Sequence, residues 1–351
     1  MAHSTLAERQ QARRRRSFRI AISLLLFVLP FFVCGGVASG YYFYDTVRYY
    51  VANENLPDYG SVSPVNTDQH PVAMPTAVPA PNVTAGERIN ILLLGIDKRP
   101  QEQGPFRTDT MIIATFDPQT KTGGMLAIPR DLYVPIPYPG IGSDRINTAN
   151  FYGDLYKYPG AGPGLAKKTI EYNLGVPIHY YVLIDFQGFK KIVDTLGGID
   201  IDVAKAIHDD CYPTDNYGCE VLDIPAGHLH MNGDLALKYA RARHTTNDFD
   251  RSKRQMQVIL ACREKALKLN MVSQIPSLWS QFQDTVHTDM TLPQMMALAP
   301  YGTQIRSDNI KVRAIDQSMT MEIILNNGAD VLWPDRNKIA EVVNEMFPPA
   351  K

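Results

Sequence analysis

Hydrophobic residues fall into three regimes along the chain. From Ile20 to Tyr44 an uncharged run dominated by Leu, Ile, Val and Phe is long enough to cross a bilayer as a helix. Residues 45–88 reverse this, with six prolines and few apolar clusters. Such a segment cannot bury a core, so an extended linker is expected, about 35–40 Å across as a flexible coil. From Ile89 onward, short apolar runs alternate with longer amphipathic stretches. Ile89–Leu94, Met111–Phe116, Met125–Ile128, Tyr180–Ile184, Ile199–Val203 and Ile310–Ile315 read as strands. Gly164–Leu174, Phe186–Leu196, Leu235–Ala242, Asp250–Asn270 and Pro334–Phe347 read as helices. Strands interleaved with helices predict an α/β fold: a mixed β-sheet flanked by helices in an αβα sandwich, preceded by one transmembrane helix. The expected organisation is a basic tail (1–19), a span (20–44), a Pro-rich linker (45–88) and one globular domain (89–350).

Charge sets the orientation. The tail ends in RRRRSFR and no basic residue follows the span immediately, which places the N-terminus in the cytoplasm and the body of the chain outside. The competing reading is a signal peptide cleaved near Gly36-Val37-Ala38, but the length of the apolar run favours a retained anchor. Residues 1–50 hold seven arginines against Glu8 and Asp45, so a chain of net charge −1 is acidic beyond them. An acidic main domain opposes a broad nucleic-acid surface. Cys211 and Cys219 flank a polar, turn-rich stretch, a spacing suited to a small disulfide loop in an oxidising compartment; two free thiols are the alternative. No further Cys/His partners lie at zinc spacing, and Cys34 and Cys262 sit in apolar patterns.

The chemistry is concentrated in RARHTTNDFDRSKRQ, where Arg241, Arg243, Arg251 and Arg254 crowd into one short span. If a helix begins near Asp250, capped by Asp250 or Asn247, Arg251 and Arg254 share a face near its N-terminus. Guanidinium forks and open backbone N–H groups then converge, as a phosphate or pyrophosphate requires; a solvated charged helix is the plainer reading. Asp97 follows the first strand and Asp109 precedes the second, with Arg107 two residues earlier. Two carboxylates brought together there would suit Mg²⁺. Arg130 follows the third strand in IPRD and Arg145 lies in DRIN. Seven arginines with two acids form the pattern of a phosphoryl-transfer site. No Walker A loop, dinucleotide fingerprint, GxSxG elbow or HExxH occurs. GAGPG (160–164) reads as a plain turn. AGHLHMNG, holding His228 and His230, alternates like an extended segment, yet reads better as a polar turn because no acidic partner lies at ligand spacing.

At this point the ordered blocks LLLGIDKR, FRTDTMI, LAIPRDLYV, DRINTAN, YYVLIDFQGFKKIVDTLGGIDIDV, LHMNGDLALKYARAR and DFDRSKRQ, spread over 89–262, resemble the LytR-CpsA-Psr family of cell-envelope proteins. The resemblance implies a membrane-anchored phosphotransferase. Its members move a glycopolymer from a polyprenyl-pyrophosphate carrier to a peptidoglycan hydroxyl, forming a phosphodiester link with Mg²⁺ (or Mn²⁺). By that resemblance Asp97 and Asp109 hold the metal. Arg107, Arg130, Arg145, Arg241, Arg243, Arg251 and Arg254 bind the pyrophosphate with help from Gln255, and Arg130, Arg241, Arg243 and Asp109 carry catalysis. Asp109, Asp131 and Asp248 are candidate general bases. The prenyl tail is expected in an apolar groove drawn from Phe186–Leu196 and Gln257–Leu269. Arg145 stands where members often carry Lys, Asn247-Asp248 replaces Gly-Asp, and GAGPG replaces a Gly-Gly loop. Competing functions are a non-catalytic lipid- or wall-polymer-binding module, a pyrophosphatase and a transcriptional regulator. The acidic domain and the absence of a helix-turn-helix signal oppose the last.

Overall fold

The computed structural model describes residues 81, 86–99, 102–214, 218–242 and 248–348. The chain divides into two compact units, 1–64 and 65–351, and the described residues all belong to the second. The basic tail, the apolar run 20–44 and most of the linker lie outside them. No helix among the described residues is long and apolar enough to cross a membrane.

INILLLGI forms β1 (Ile89–Ile96), followed by β2 (Thr108–Asp117) and β3 (Thr122–Ala127), an antiparallel meander. Asp117 makes the β2–β3 turn by accepting from the backbone N–H of Gln119 at 2.9 Å and of Thr120 at 3.2 Å. A small hairpin, β4 (Tyr133–Pro135) and β5 (Ser143–Arg145), leads into α1 (Thr148–Leu155) and α2 (Ala161–Leu174). The chain returns through β6 (Tyr180–Asp185), parallel to β1. Then come α3 (Phe186–Thr195), β7 (Ile199–Val203), β8 (Ile207–Pro213), β9 (Cys219–Ile224), β10 (Gly227–Met231), α4 (Gly233–Arg241) and α5 (Asp248–Lys268). The last part contributes α6 (Ile275–Phe282), β11 (Val286–Thr288), α7 (Leu292–Gln304), β12 (Ile310–Ala314), β13 (Thr320–Ile324), β14 (Asp330–Pro334) and α8 (Arg336–Met346).

The central sheet has the order β11-β6-β1-β2-β3-β12 and mixes parallel and antiparallel pairs. Both faces are covered, which is why the central strands read as nearly continuous apolar runs. One face carries Leu92, Leu94, Met111, Ile113 and Leu126 against Ile170 of α2 and Val343 of α8. The other carries Ile112 and Met125 against Met256 of α5. The result is the expected mixed α/β sandwich. A second core joins α3, α4 and α5 to β7–β10 through Val193, Ile201, Ile224, Met231 and Val258.

Two glycines set how closely the site helices approach. A Cβ on Gly233 would lie 2.4 Å from the Lys190 carbonyl oxygen, so α4 starts pressed against α3. A Cβ on Gly188 would lie 2.7 Å from the Thr285 carbonyl oxygen, so α3 is likewise pressed against the residues before β11.

Several local expectations are corrected. GAGPG is not a plain turn: Gly160 (φ 81°) precedes α2 and residues 161–164 form its first turn. AGHLHMNG contains strand β10, where His228 and His230 face Asp202 and Asp200 across β7 at 2.7 Å each. The acidic partners come from another strand, which spacing along one segment does not reveal. The last helix starts after Pro334, which ends β14; Asp335 caps it by accepting from Lys338 N at 3.2 Å. Cys211 and Cys219 form a disulfide.

Candidate active site

A cavity of about 610 Å³ opens at the carboxyl ends of β1 and β6, where open α/β sheets bind ligands. The strand pleat supplies its floor. Leu93, Val182 and Ile184 are apolar yet half-buried, while Leu92 and Leu183 face the closed core. Phe186 and Phe189 of α3, Leu237 of α4, and Val258 and Ile259 of α5 complete an apolar wall. Asp185 starts α3 by accepting from the Gly188 amide at 2.7 Å, which turns Phe186 over the cavity.

The mouth is charged. Arg241 ends α4, stacks on Phe186 with 4.0 Å from the guanidinium carbon to the ring centroid, and reaches Asp97 Oδ2 at 3.3 Å. It also donates to the Tyr212 hydroxyl at 3.1 Å. Arg251, near the start of α5, is 5% exposed and donates to the Asp109 carbonyl oxygen at 3.4 Å. Gln255, one turn along α5, lines the cavity and donates to the Ala240 carbonyl oxygen at 3.5 Å. Asp97, Asp109, Arg241, Arg251 and Gln255, predicted from separate motifs, therefore meet at one cavity.

The other predicted residues divide. Arg130 donates to Asp109 Oδ1 at 2.5 Å and, through Nε, to Asp131 Oδ2 at 3.2 Å. Asp131 Oδ1 also lies 3.3 Å from Arg145 Nε, and Arg145 donates to the Asp330 carbonyl oxygen of β14 at 2.5 and 3.1 Å. Arg145 thus reaches the cavity only through a relay, Arg145–Asp131–Arg130–Asp109. Asp131 is held between two guanidinium groups and does not line the cavity. Arg107 is exposed outside the cavity wall, near the Tyr152 phenol. Arg254 also stays outside the cavity wall. Its buried guanidinium donates to the Tyr239 carbonyl oxygen at 2.9 Å and to that of Ala242, capping the C-terminal end of α4. Burial depresses its pKa from the ordinary guanidinium range. Arg243 lies outside the described residues, as does Asn247, the alternative cap for α5; that helix starts at Asp248, two residues before the expected Asp250.

Asp97 is the electrostatically unusual group. Burial raises its carboxyl above the ordinary range, Arg241 opposes this, and the neighbouring Asp109 charge adds to it. Asp97 Oδ1 is buried without a hydrogen-bond donor, and Arg99 Nε lies 3.8 Å away. Among the described residues no group of three or more His, Cys, Asp and Glu side chains is arranged for a metal ion. The two carboxylates at the mouth, one with an orphaned oxygen, do fit a hard cation that completes its shell with phosphate oxygens and water.

Sequence reasoning missed Tyr212, Asp185, Asp209 and the strand residues of the floor. Tyr212 lies outside the ordered motif blocks and carries no local signal. Val182 and Ile184 were legible as strand residues; the structure alone shows that their face is left open. The expected groove from Phe186–Leu196 and Gln257–Leu269 is present in part, through Phe186, Phe189, Val258 and Ile259.

The α/β sandwich thus carries one cavity whose interior is apolar and whose rim holds arginines and paired acids. The chain belongs to the LytR_cpsA_psr family, whose profile matches residues 60–347. It is 30% identical over 83% of its length to a polyisoprenyl-teichoic acid–peptidoglycan teichoic acid transferase TagU from Oceanobacillus iheyensis, covering 83% of that protein. A TagU from Bacillus licheniformis is 26% identical, with 96% of this chain and 98% of that one covered. Among solved structures, B. subtilis TagV superposes with a TM-score of 0.61 at 27% identity, covering 76% of this chain and 99% of that one. A TagT bound to LIIa-WTA gives 0.57 at 28% identity over 74% and 89%.

Proposed function

We propose that this protein is a membrane-anchored phosphotransferase that moves a glycopolymer from a polyprenyl-pyrophosphate carrier to a peptidoglycan hydroxyl. The observation that carries this reading is the single cavity joining an apolar interior to Asp97, Asp109, Arg241, Arg251 and Gln255. The names of the teichoic acid transferases it resembles support the same reaction class. Leu93, Val182, Ile184, Phe189 and Val258 take the prenyl chain. Arg241 and Arg251, with Arg130 behind Asp109, hold the pyrophosphate oxygens as preset positive charge. The acceptor hydroxyl attacks the sugar-proximal phosphorus, the bond to the bridging oxygen breaks, and prenyl phosphate departs with that oxygen. We assign the hydroxyl proton to Asp109, because it lines the cavity and Asp131 does not. Asp97 and Asp109 would hold Mg²⁺ or Mn²⁺, which would supply charge neutralisation at the pyrophosphate.

The anchor is part of the proposal: residues 20–44 span the membrane, the N-terminus is cytoplasmic, and the cavity lies outside the cell. The Cys211–Cys219 disulfide supports an oxidising exterior. Nucleic acid has no part in it.

The test uses full-length protein in detergent, a polyprenyl-pyrophosphate-linked saccharide and peptidoglycan. Arg241→Ala is expected to lower transfer by about 100-fold or more, the usual cost of removing one preset charge-stabilising group. Chelating divalent ions is expected to stop turnover. An Asp97→Ala protein should still bind the lipid while losing turnover. A parent that binds the lipid but shows no turnover would favour a binding module with an incidental acid pair, and turnover in Asp97→Ala equal to the parent's would remove Asp97 from the chemistry. Release of phosphorylated sugar to water in the presence of acceptor would favour a pyrophosphatase.

A further inference from the structure

The hairpin of β8 and β9 lies outside the sequence blocks that carry the family resemblance, yet it forms one side of the cavity mouth. Asp209 and Pro213 line the cavity, and Tyr212 beside Pro213 is 3% exposed, packed into the core with Ile224, Ala236 and Tyr239. The Tyr212 hydroxyl accepts from Arg241 Nη1 at 3.1 Å, and its ring centroid lies 5.4 Å from the guanidinium carbon. Phe186 and Asp97 supply the other two contacts described above. Tyr212 is therefore the hydrogen-bonding partner of Arg241 that carries no charge and does not compete with an anionic ligand for it.

The hairpin is weakly laddered where Tyr212 sits. Its register slips between Asp209 and Tyr212, and Pro213, opposite Cys219, has no N–H to donate. The Cys211–Cys219 bridge closes this weak segment covalently, one residue on either side of the Tyr212–Glu220 pair. Glu220 in turn holds Lys238 of α4 at 2.8 Å, one turn before Arg241. We infer that Tyr212 is a positioning residue for Arg241 and that the disulfide keeps Tyr212 in place. This rests on the proposed reading of the cavity as a polyprenyl-pyrophosphate site. A guanidinium fixed before the ligand arrives binds without first losing its own freedom.

The test measures binding to full-length protein in detergent by calorimetry, with farnesyl pyrophosphate and farnesol as probes. Three variants are compared with the parent: Tyr212→Phe, the pair Cys211→Ser/Cys219→Ser, and all three changes together. Tyr212→Phe keeps the ring and is expected to weaken farnesyl pyrophosphate about tenfold, the loss expected for one hydrogen bond to a charged group. The cysteine pair should lose a similar factor. The triple variant should lose no more than either alone, because both act through one contact. Farnesol affinity should stay at the parent value in all three, which a generally loosened cavity would not allow. Unchanged pyrophosphate affinity in Tyr212→Phe, losses that multiply in the triple variant, or an equal loss for farnesol would each overturn the inference. A parent that binds both probes alike overturns the proposed function and this inference together. A parent that prefers the pyrophosphate but is indifferent to the variants overturns the inference alone.

Discussion

Burial opposes the ionisation of Asp97, and the sign of its effect on stability can be measured. Burial raises its folded pKa above the unfolded value of about 3.9. Between those two values the folded chain holds more protons than the unfolded one, so stability falls as the pH rises through that interval. Without a divalent ion, Asp97→Asn should melt at a higher temperature than the parent at about pH 7, and the two should converge near pH 3. Added Mg²⁺ should stabilise the parent and leave the variant unmoved. A variant no more stable than the parent at neutral pH would mean that Arg241 repays the burial in full. Asp131 belongs to the same network but acts at one remove. Asp131→Ala frees Arg130 and Arg145 from each other while leaving both charges. The displacement of Arg130 should lower transfer by about 100-fold with little change in substrate affinity; an equal loss of affinity would show that Asp131 serves binding instead. Such roles were unevenly legible in the sequence. Asp97 and Asp109 were readable because they sit at the ends of apolar strands, where open α/β sheets bind their ligands. Arg254 carried the same signal as Arg251, yet its side chain caps α4. A one-dimensional pattern does not say which side of the helix start each guanidinium takes.

His179 ties the start of β6 to β1 across the centre of the sheet. Its Nδ1 accepts the Asn90 amide at 3.0 Å, and Lys167, beside it, donates to its carbonyl oxygen at 2.9 Å. Burial, with the Lys167 charge nearby, holds the ring below its ordinary pKa. Here the unfolded chain binds the extra proton, so stability rises with pH; it is fully present above about 6.5 and is lost as the pH falls through the folded value. His179→Gln should flatten the loss of melting temperature between about pH 7 and pH 5. A slope identical to the parent's would place the acid sensitivity elsewhere. The strands it joins were among the easier elements to read, since β1 (INILLLGI) and β6 (YYVLID) carry apolar residues on both faces. β8 and β9 were not, because IHDDCYP and CEVLDI break the usual alternation, burying Asp209 and exposing Val221, and pair only with each other. β13 and β14 escaped for a similar reason: Thr320–Ile324 leaves Met321 and Ile324 exposed, so it shows no buried face. Those two hairpins nevertheless hold Tyr212 and the Asp330 carbonyl that anchors Arg145, so the supporting half of the site was the half hidden in the sequence.

On the proposed function, the cavity must meet two substrates of very different mobility. The lipid diffuses in the membrane plane, whereas the acceptor is a fixed polymer. If residues 45–88 form the proposed linker, a coil of that length would span about 35–40 Å and tether the proposed catalytic body to its membrane. Tethering then acts through effective concentration: a donor confined to the same membrane is met far more often than by a protein free in solution. The advantage belongs to the encounter and not to the chemistry, so it should disappear when the donor is no longer in a bilayer. A chain lacking residues 1–44 should therefore transfer from a detergent-dispersed short-chain donor at the rate of the full chain. From the same saccharide on a long prenyl carrier in vesicles, it should fall behind the reconstituted full chain by about 100-fold or more. Equal rates on vesicles would mean that the cavity extracts its lipid without help from the anchor. A loss on both donors would mean that the N-terminal residues also support the folded body.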